Sequence, residues 1–245
     1  MKKLFIGTSG WAYPHWEKIF YPKTLAGKDK LRHYANCFKT VEINYSFYHL
    51  PSEKTFRNWA ASVPDDFVFA IKTSRYITHI KRLKGVETAW RRFFKNAQSL
   101  GKKLGPILVQ LPPSFQATEE NKKRLAGFLE FIKKDKTRFA FEFRHLSWAK
   151  EHIYYMLKKY KASWVIADSP SFPKREIVTA DFIYIRFHGS KILFSSDYTL
   201  EELQDWARKI RKWLKKGDVY AYFNNDAKGF APKNANQLQK LLSRH

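Results

Sequence analysis

Eight short apolar segments recur along the 245-residue chain, and stretches with helical periodicity separate most of them. The segments are residues 4–6, 41–43, 68–71, 107–111, 139–143, 164–167, 182–187 and 219–223. Short, bounded apolar runs of this kind are typical of strands buried on both faces. A chain that alternates such strands with helices predicts a parallel sheet.

Start signals for helices lie between the apolar segments. Ser52 precedes a helical pattern over residues 53–63, and Thr118 precedes two acidic residues. Residues 199–202 read Thr-Leu-Glu-Glu, which is a capping box. The segment 168–174 contains two prolines, so we expect no full helix after the sixth strand.

Eight strand-helix units without a linker or a low-complexity tract favour a closed barrel over an open sheet. The hydrophobic fraction of 44% is sufficient for a large core. The single cysteine excludes an internal disulfide. We therefore predict one domain over residues 1–245, an α/β TIM-type (β/α)8 barrel of parallel strands with some irregularity in the later units.

Targeting signals are weak. The apolar run near the N-terminus stops after three residues, and no other stretch is long enough to span a bilayer. We expect a soluble, cytoplasmic protein without a membrane partner.

Net charge is the most unusual feature of the composition. Lys and Arg number 46 against 22 Asp and Glu, which gives a formal charge of +24. Such a surface attracts polyanions, so DNA or RNA is a possible partner. The basic runs are scattered over several predicted helices, however, and such runs are usually solvated helix faces.

Polar side chains stand at the ends of nearly all the predicted strands. They are Glu42, Asn44, Lys72, Gln110, Glu142, Arg144, Asp168, Arg186, His188, Asn224 and Asn225. Residues two apart on a strand share a face, so several of these are expected to point the same way in pairs. Strand C-termini in such a barrel meet at one mouth, where enzymes of this fold keep their active sites.

Short motifs along nearly the whole chain carry a family resemblance. They are GTSGW (7–11), FYP (20–22), VEIN (41–44) followed by Phe47, Tyr48 and Pro51, ITH (77–79), QLP (110–112), EFR (142–144) with Trp148, RFHG (186–189) and YFNND (222–226). In this order they resemble the YecE-like family, also called domain of unknown function 72. The resemblance implies a TIM barrel related in shape to the xylose isomerase and endonuclease IV group, and it implies no established activity.

Four strand-end residues are candidates for catalysis: Glu42, Glu142, His188 and Lys72. Either glutamate, with its pKa raised by burial, would serve as a general acid or base. Lys72 would form a Schiff base unless an ion pair with Glu42 keeps it protonated. The alternative is structural: Glu42 would pair with Lys72, Arg144 or Arg186 in an ion network.

The remaining candidates would bind substrate. They are Asn44, Tyr48, His79, Gln110, Arg144, Trp148, Asp168, Arg186, Asn224 and Asn225. Arginine offers a planar fork and lysine a point charge to a phosphate or carboxylate. Aromatic rings expected near the rim offer stacking faces for a base or sugar: Trp11, Tyr13, Trp16, Tyr45, Phe47, Tyr48 and Trp148.

A divalent metal site at the barrel mouth is less favoured than a metal-free site. Its ligands would come from Glu42, Glu142, Asp168, His79 and His188. The sequence has no local histidine pair, and the strand-end cations would lower the affinity of a metal ion. We therefore predict no metal and no other cofactor.

Together these features predict that an anionic ligand, one that contains phosphate or is a nucleic acid, binds at the C-terminal mouth. If the protein is an enzyme, it is a hydrolase or lyase acting on a phosphorylated or nucleic-acid substrate. A non-catalytic nucleic-acid-binding protein and an isomerase or lyase of a small sugar or metabolite are the alternatives.

Overall fold

Eight parallel strands form the centre of the molecule in the computed structural model, which describes residues 2–243. The strands are β1 (Leu4–Thr8), β2 (Thr40–Ile43), β3 (Val68–Lys72), β4 (Leu104–Gln110), β5 (Phe139–Glu142), β6 (Ser163–Asp168), β7 (Phe182–Phe187) and β8 (Asp218–Phe223). Hydrogen bonds join them in the order β1, β8, β7, β6, β5, β4, β3, β2. All eight predicted strands and the TIM-type barrel are confirmed.

The barrel closes between β1 and β2 through a few contacts. Ser9 and Glu42 form an isolated parallel bridge. The backbone N–H of Thr8 donates to the Tyr34 hydroxyl at 2.9 Å. A Cβ on Gly7 would lie 2.2 Å from the carbonyl oxygen of Thr40. Glycine is therefore the residue that lets these two strands approach each other.

Helices cover the outside of the barrel. They are α1 (Lys30–Cys37), α2 (Tyr45–Tyr48), α3 (Glu53–Ala61), α4 (Glu87–Gln98), α5 (Glu119–Ile132), α6 (Glu151–Lys159), α7 (Leu200–Leu214) and α8 (Phe230–Ser243). The three predicted caps are confirmed: Ser52, Thr118 and Thr199 each accept a backbone N–H, and Thr199 completes its capping box with Glu202. Within residues 2–243, no helix has both the length and the apolar character that crossing a membrane requires.

Two connections depart from the regular pattern. Residues 169–181, between β6 and β7, contain no helix, as the prolines predict. The residues after β3 form a single π-helical turn, Tyr76–Ile80. Such turns are frequent at functional sites, and this one carries His79.

Side-chain direction separates two apolar layers. The larger layer packs between the sheet and the helices. The smaller layer fills the barrel and consists of Phe5, Ala70, Leu108, Ala140, Val165, Phe182, Tyr184, Tyr220 and Tyr222. Because side chains two apart on a strand share a face, residues two positions further along these strands point toward the C-terminal mouth.

Two glycine substitutions test how the barrel closes. We expect Gly7→Ala to lower the free energy of unfolding by about 1–3 kcal/mol, because the methyl group meets the Thr40 carbonyl. Gly127→Ala is the matched control: Gly127 lies in α5 with nothing within 4 Å of an added Cβ, so the protein should gain about 0.5–1 kcal/mol. Urea unfolding measures both, and equal effects of the two changes would contradict this account of the closure.

Candidate functional site

A cavity of about 680 Å³ opens at the C-terminal mouth of the barrel. Its lining residues are Tyr13, Asn44, Phe47, Tyr48, Lys72, Arg75, His79, Gln110, Arg144, Arg186, Phe194, Asn224 and Asp226. The cavity brings together seven of the ten residues that the sequence predicts to bind substrate. Of the four predicted catalytic residues, Lys72 alone is in this lining.

Arg186 joins two buried glutamates beneath the cavity. Its Nη2 and Nε donate to the two oxygens of Glu42 at 2.7 and 3.0 Å. Its Nη1 donates to Oε2 of Glu142 at 2.7 Å. All three side chains are at most 1% exposed. Every nitrogen of this guanidinium group is therefore engaged in holding the carboxylates.

Further donors complete the surroundings of Glu42. Ser9 Oγ and Tyr184 Oη donate to its two oxygens at 2.8 and 2.7 Å, and Asn44 Nδ2 adds a third hydrogen bond at 3.1 Å. Because buried polar atoms are costly unless they are hydrogen-bonded, this set explains how a β-strand can carry a buried glutamate.

The second buried glutamate, Glu142, receives another cation. Arg144 Nε donates to its Oε1 at 2.7 Å. Burial alone would raise the pKa values of Glu42 and Glu142, but the neighbouring guanidinium groups hold both below the usual range. Both glutamates are therefore ionised at neutral pH, and two guanidinium groups balance their charge. The sequence-based expectation of a raised glutamate pKa is wrong for this reason.

Lys72 contrasts with these paired residues. It ends β3 and is 9% exposed, and its Nζ lies 4.1 Å from the centroid of the Phe47 ring. Within residues 2–243 its Nζ makes no ion pair, not even with Glu42, and no hydrogen bond. Burial, reinforced by the charges of Arg186 and Arg144, lowers the pKa of Lys72 to about 7.

Two histidines near the mouth are neutral at neutral pH. Burial is the main reason that the pKa values of His79 and His188 fall to about 4. His188 is fully buried, and Asn224 Nδ2 lies 3.1 Å from its Nδ1. Its Nε2 lies 3.5 Å from Glu142 Oε2 and makes no hydrogen bond within residues 2–243.

Positive charge remains at the open side of the mouth. Arg75 is exposed, lines the cavity and forms no ion pair within residues 2–243. The two terminal nitrogens of Arg144 make no hydrogen bond in the described part of the chain. Across the mouth, Asp226 lies 3.5 Å from His15 Nε2, and burial raises the pKa of this carboxyl.

An apolar cavity of about 370 Å³ adjoins the first one. It is lined by Gly10, Trp11, Ala12, Tyr13, Asn44, Tyr45, Tyr48 and Trp59. Tyr13, Asn44 and Tyr48 border both cavities, and Tyr48 is 70% exposed. Four of the predicted rim aromatics, Trp11, Tyr13, Tyr45 and Tyr48, therefore form a continuous wall with the charged mouth.

Three predicted substrate-binding residues lie elsewhere. Trp148 is fully buried, stacks on Phe143 and donates to a backbone carbonyl, so it belongs to the packing. Asp168 pairs with Lys174 at 2.6 Å. Asp168 also accepts a hydrogen bond from Trp206 on α7, and Asn225 donates one to Asn234 on α8. Both side chains therefore point toward the surrounding helices and away from the cavity.

A fourth prediction fails for a similar reason. Trp16, expected among the rim aromatics, is fully buried and donates its indole N–H to the carbonyl oxygen of Asp226 at 3.3 Å. Large aromatic rings generally serve as packing, and their sequence context gives no sign of which ring reaches the surface.

The sequence-based prediction of the site missed five residues. They are Ser9, Arg75, Tyr184, Phe194 and Asp226. The i, i+2 rule along a strand would have found Tyr184, which lies two positions before Arg186 and on the same face. Arg75, Phe194 and Asp226 lie outside the strands, where no periodicity applies. Phe194 has a φ of 63°, which is unusual for a bulky residue and common at functional sites.

Within residues 2–243, no three His, Cys, Asp or Glu side chains form a cluster suited to a metal ion. The oxygens of both buried glutamates already accept hydrogen bonds from protein donors.

The fold and the strand-end cluster define a TIM barrel whose mouth combines a buried ion network with an open cationic and aromatic cavity. Residues 5–245 match the family described as protein of unknown function DUF72, so the chain belongs to the DUF72 family. The UPF0759 protein YunF of Bacillus subtilis is 26% identical, over 98% of this chain and 94% of that protein. The UPF0759 protein YecE of Escherichia coli is 24% identical, over 98% and 92%.

A solved structure supports the same assignment. A DUF72 family protein from Thermotoga maritima superposes with a TM-score of 0.88 at 30% identity, covering 99% of this chain and all of that one. The family resemblance noted in the sequence and the TIM barrel that it implies are thus confirmed.

Replacing Arg186 tests the role of the ion network. We expect Arg186→Met to cost about 3–5 kcal/mol of stability, because it leaves two buried carboxylates without their shared partner. Arg186→Lys should lose less stability, since lysine keeps the positive charge but not the planar guanidinium group. Arg57→Met, which breaks an exposed pair with Glu53, should change little. Thermal and urea unfolding measure all three, and equal effects of Arg186→Met and Arg57→Met would refute the role.

Acidification tests the ionised state of Glu142. Because the folded-state pKa of Glu142 is well below the usual 4.5, its ionic stabilisation is complete above that pH and is lost as the pH falls toward the folded value. The stability difference between the wild type and Glu142→Gln should therefore shrink below about pH 4.5. Urea unfolding from pH 7 to 3 measures it, and a difference that stays constant over this range would contradict the assignment.

Proposed function

We propose that the barrel mouth is an enzyme site that binds a small anionic substrate, one carrying a phosphate or carboxylate group, without a metal ion. The observation that carries this proposal is an excess of positive charge. The two buried carboxylates are balanced by two guanidinium groups, whereas Arg75 and the partly protonated Lys72 face the cavity without a carboxylate partner in residues 2–243. An anionic group in the cavity would supply the missing counter-charge.

Two guanidinium groups are available to hold the anion. Arg75 has no ion pair among the described residues, and Arg144 uses only its Nε toward Glu142, so its terminal nitrogens remain free. Arginine binds phosphate and carboxylate through two parallel N–H donors, which also fixes the orientation of the substrate.

The adjoining aromatic cavity supports a substrate with a non-ionic body. The cavity is lined by Trp11, Tyr45 and Trp59 and shares a wall with the charged mouth. A sugar ring or a base could stack there while its anionic group reaches Arg75.

Nucleic acid is the second candidate ligand, and the net charge of +24 favours it. The positive surface would bind a phosphodiester backbone through counterion release, and the mouth would then receive a single nucleotide. The two candidates differ in where binding takes place, because a small anion needs the mouth and a polyanion also uses the outer surface.

Removal of Arg75 tests the anion site. Isothermal titration calorimetry with inorganic phosphate and with pyruvate should show binding to the wild type. Arg75→Ala should weaken it about tenfold, the loss of about one charge-assisted hydrogen bond. Arg32→Ala removes an exposed arginine of α1 and is the matched control, with no change expected. EDTA should leave the affinity unaltered.

Two results would contradict the proposal of an anion site. Absence of phosphate and pyruvate binding, or equal weakening by Arg32→Ala, would show that the mouth is not a specific anion site. Fluorescence polarisation with single-stranded, duplex and abasic oligonucleotides, over a range of salt concentrations, tests the second candidate, nucleic-acid binding. Oligonucleotide binding that phosphate does not compete with and that Arg75→Ala leaves intact would assign nucleic acid to the outer surface instead.

A further inference from the structure

We propose that Lys72 forms an imine with the carbonyl carbon of its substrate, a small ketone or aldehyde that also carries the phosphate or carboxylate group. This inference rests on the proposed function and names the substrate class and the reacting atom. The anion would lie on Arg75 and Arg144, and the carbonyl group would reach Lys72 within the same cavity.

The position of Lys72 suits a reacting amine. It is the last residue of β3, follows inward-facing Ala70 by two positions and lines the open cavity. The strand fixes its Cα, and the Phe47 ring lies 4.1 Å from Nζ. A rigid element therefore presents the amine at the place where TIM-barrel enzymes carry their reacting groups.

The ion network leaves this amine unpaired. Arg186 and Arg144 already neutralise the two buried glutamates, so neither carboxylate lies within 4.0 Å of Nζ. A lysine that shares a site with paired carboxylates and free guanidinium groups has no local counter-ion to keep it protonated. The arrangement thus removes the objection that an ion pair with Glu42 would make Lys72 unreactive.

Electrostatics supports the same conclusion. Burial first, and then repulsion by Arg186 and Arg144, lower the pKa of Lys72 to about 7. At pH 7 the Lys72 side chain is therefore the neutral amine, which is the nucleophilic form, in about half of the molecules. An unperturbed lysine would be neutral in fewer than about one molecule in a thousand.

The chemistry balances without a further reagent. The lone pair of Nζ forms a bond to the carbonyl carbon, and the carbonyl π electrons move to its oxygen, which gives a carbinolamine. The carbon–oxygen bond then breaks, and the oxygen leaves as water with both hydrogens of the amine. A carbon–nitrogen double bond remains. No electrons are gained or lost, so neither an oxidant nor a metal ion takes part.

Reductive trapping tests the inference. The wild type is incubated with dihydroxyacetone phosphate or pyruvate and sodium cyanoborohydride, with dihydroxyacetone and acetone as the uncharged counterparts. Intact mass should show one adduct per chain with each anionic carbonyl, at least tenfold more than with its neutral counterpart. Peptide mapping should place the adduct on Lys72. The mapping needs no variant, so the result does not depend on how a variant folds.

Variants and pH give two further readouts. Lys72→Arg should abolish the adduct, whereas Lys54→Arg, an exposed lysine of α3, should retain it. The rate of trapping should rise as the pH increases through about 7, because the neutral amine then becomes the major form. Inorganic phosphate should slow trapping by competing for the anion site.

Several outcomes would overturn the inference. They are adducts spread over the surface lysines, an adduct on Lys72 that forms equally well with the neutral carbonyls, or no adduct at all. Calorimetry with phosphate separates the two proposals. If Arg75→Ala weakens phosphate binding but no adduct forms, the anion site is supported and the imine inference is refuted. Failure of both measurements would end both proposals.

Discussion

The contact between Arg186 and the two glutamates is the interaction on which the rest of the mouth depends. It joins β7 to β2 and β5 at their C-terminal ends, at a point where all three side chains are excluded from water. Two buried carboxylates would be prohibitively costly without this shared guanidinium group. Because all three of its nitrogens donate to the two carboxylates, Arg186 holds the network together.

The network also determines which groups at the mouth remain unpaired. Glu42 and Glu142 are held in the ionised state by their partners, and His188 is buried and neutral. The open side of the cavity therefore depends on Lys72 and Arg75, with an aromatic wall beside them. The mouth is thus divided into a satisfied buried half and an unpaired open half, and the proposed anionic ligand would bind to the open half.

The sequence predicted much of the fold because the relevant signals are local. An apolar run, a cap such as Thr199 or a pair of prolines acts over a few residues, and so the strands, the caps and the missing helix after β6 could all be inferred. The strand-end pairs followed from the two-residue period. Asp168 and Asn225 were placed in the mouth wrongly, because being at a strand end does not set direction. Both lie at positions whose side chains point toward the helices.

The sequence by itself determined the barrel, its family and the set of polar residues at the strand ends, because periodicity and motif order are properties of the chain. The tertiary structure alone decided which charges pair. Arg186 could have met either glutamate, and Lys72 could have neutralised Glu42, since neither choice alters any local pattern. The barrel closes with β2 against β1, and Arg186 extends across it to bind both Glu42 and Glu142. Lys72 is therefore left as the unpaired amine.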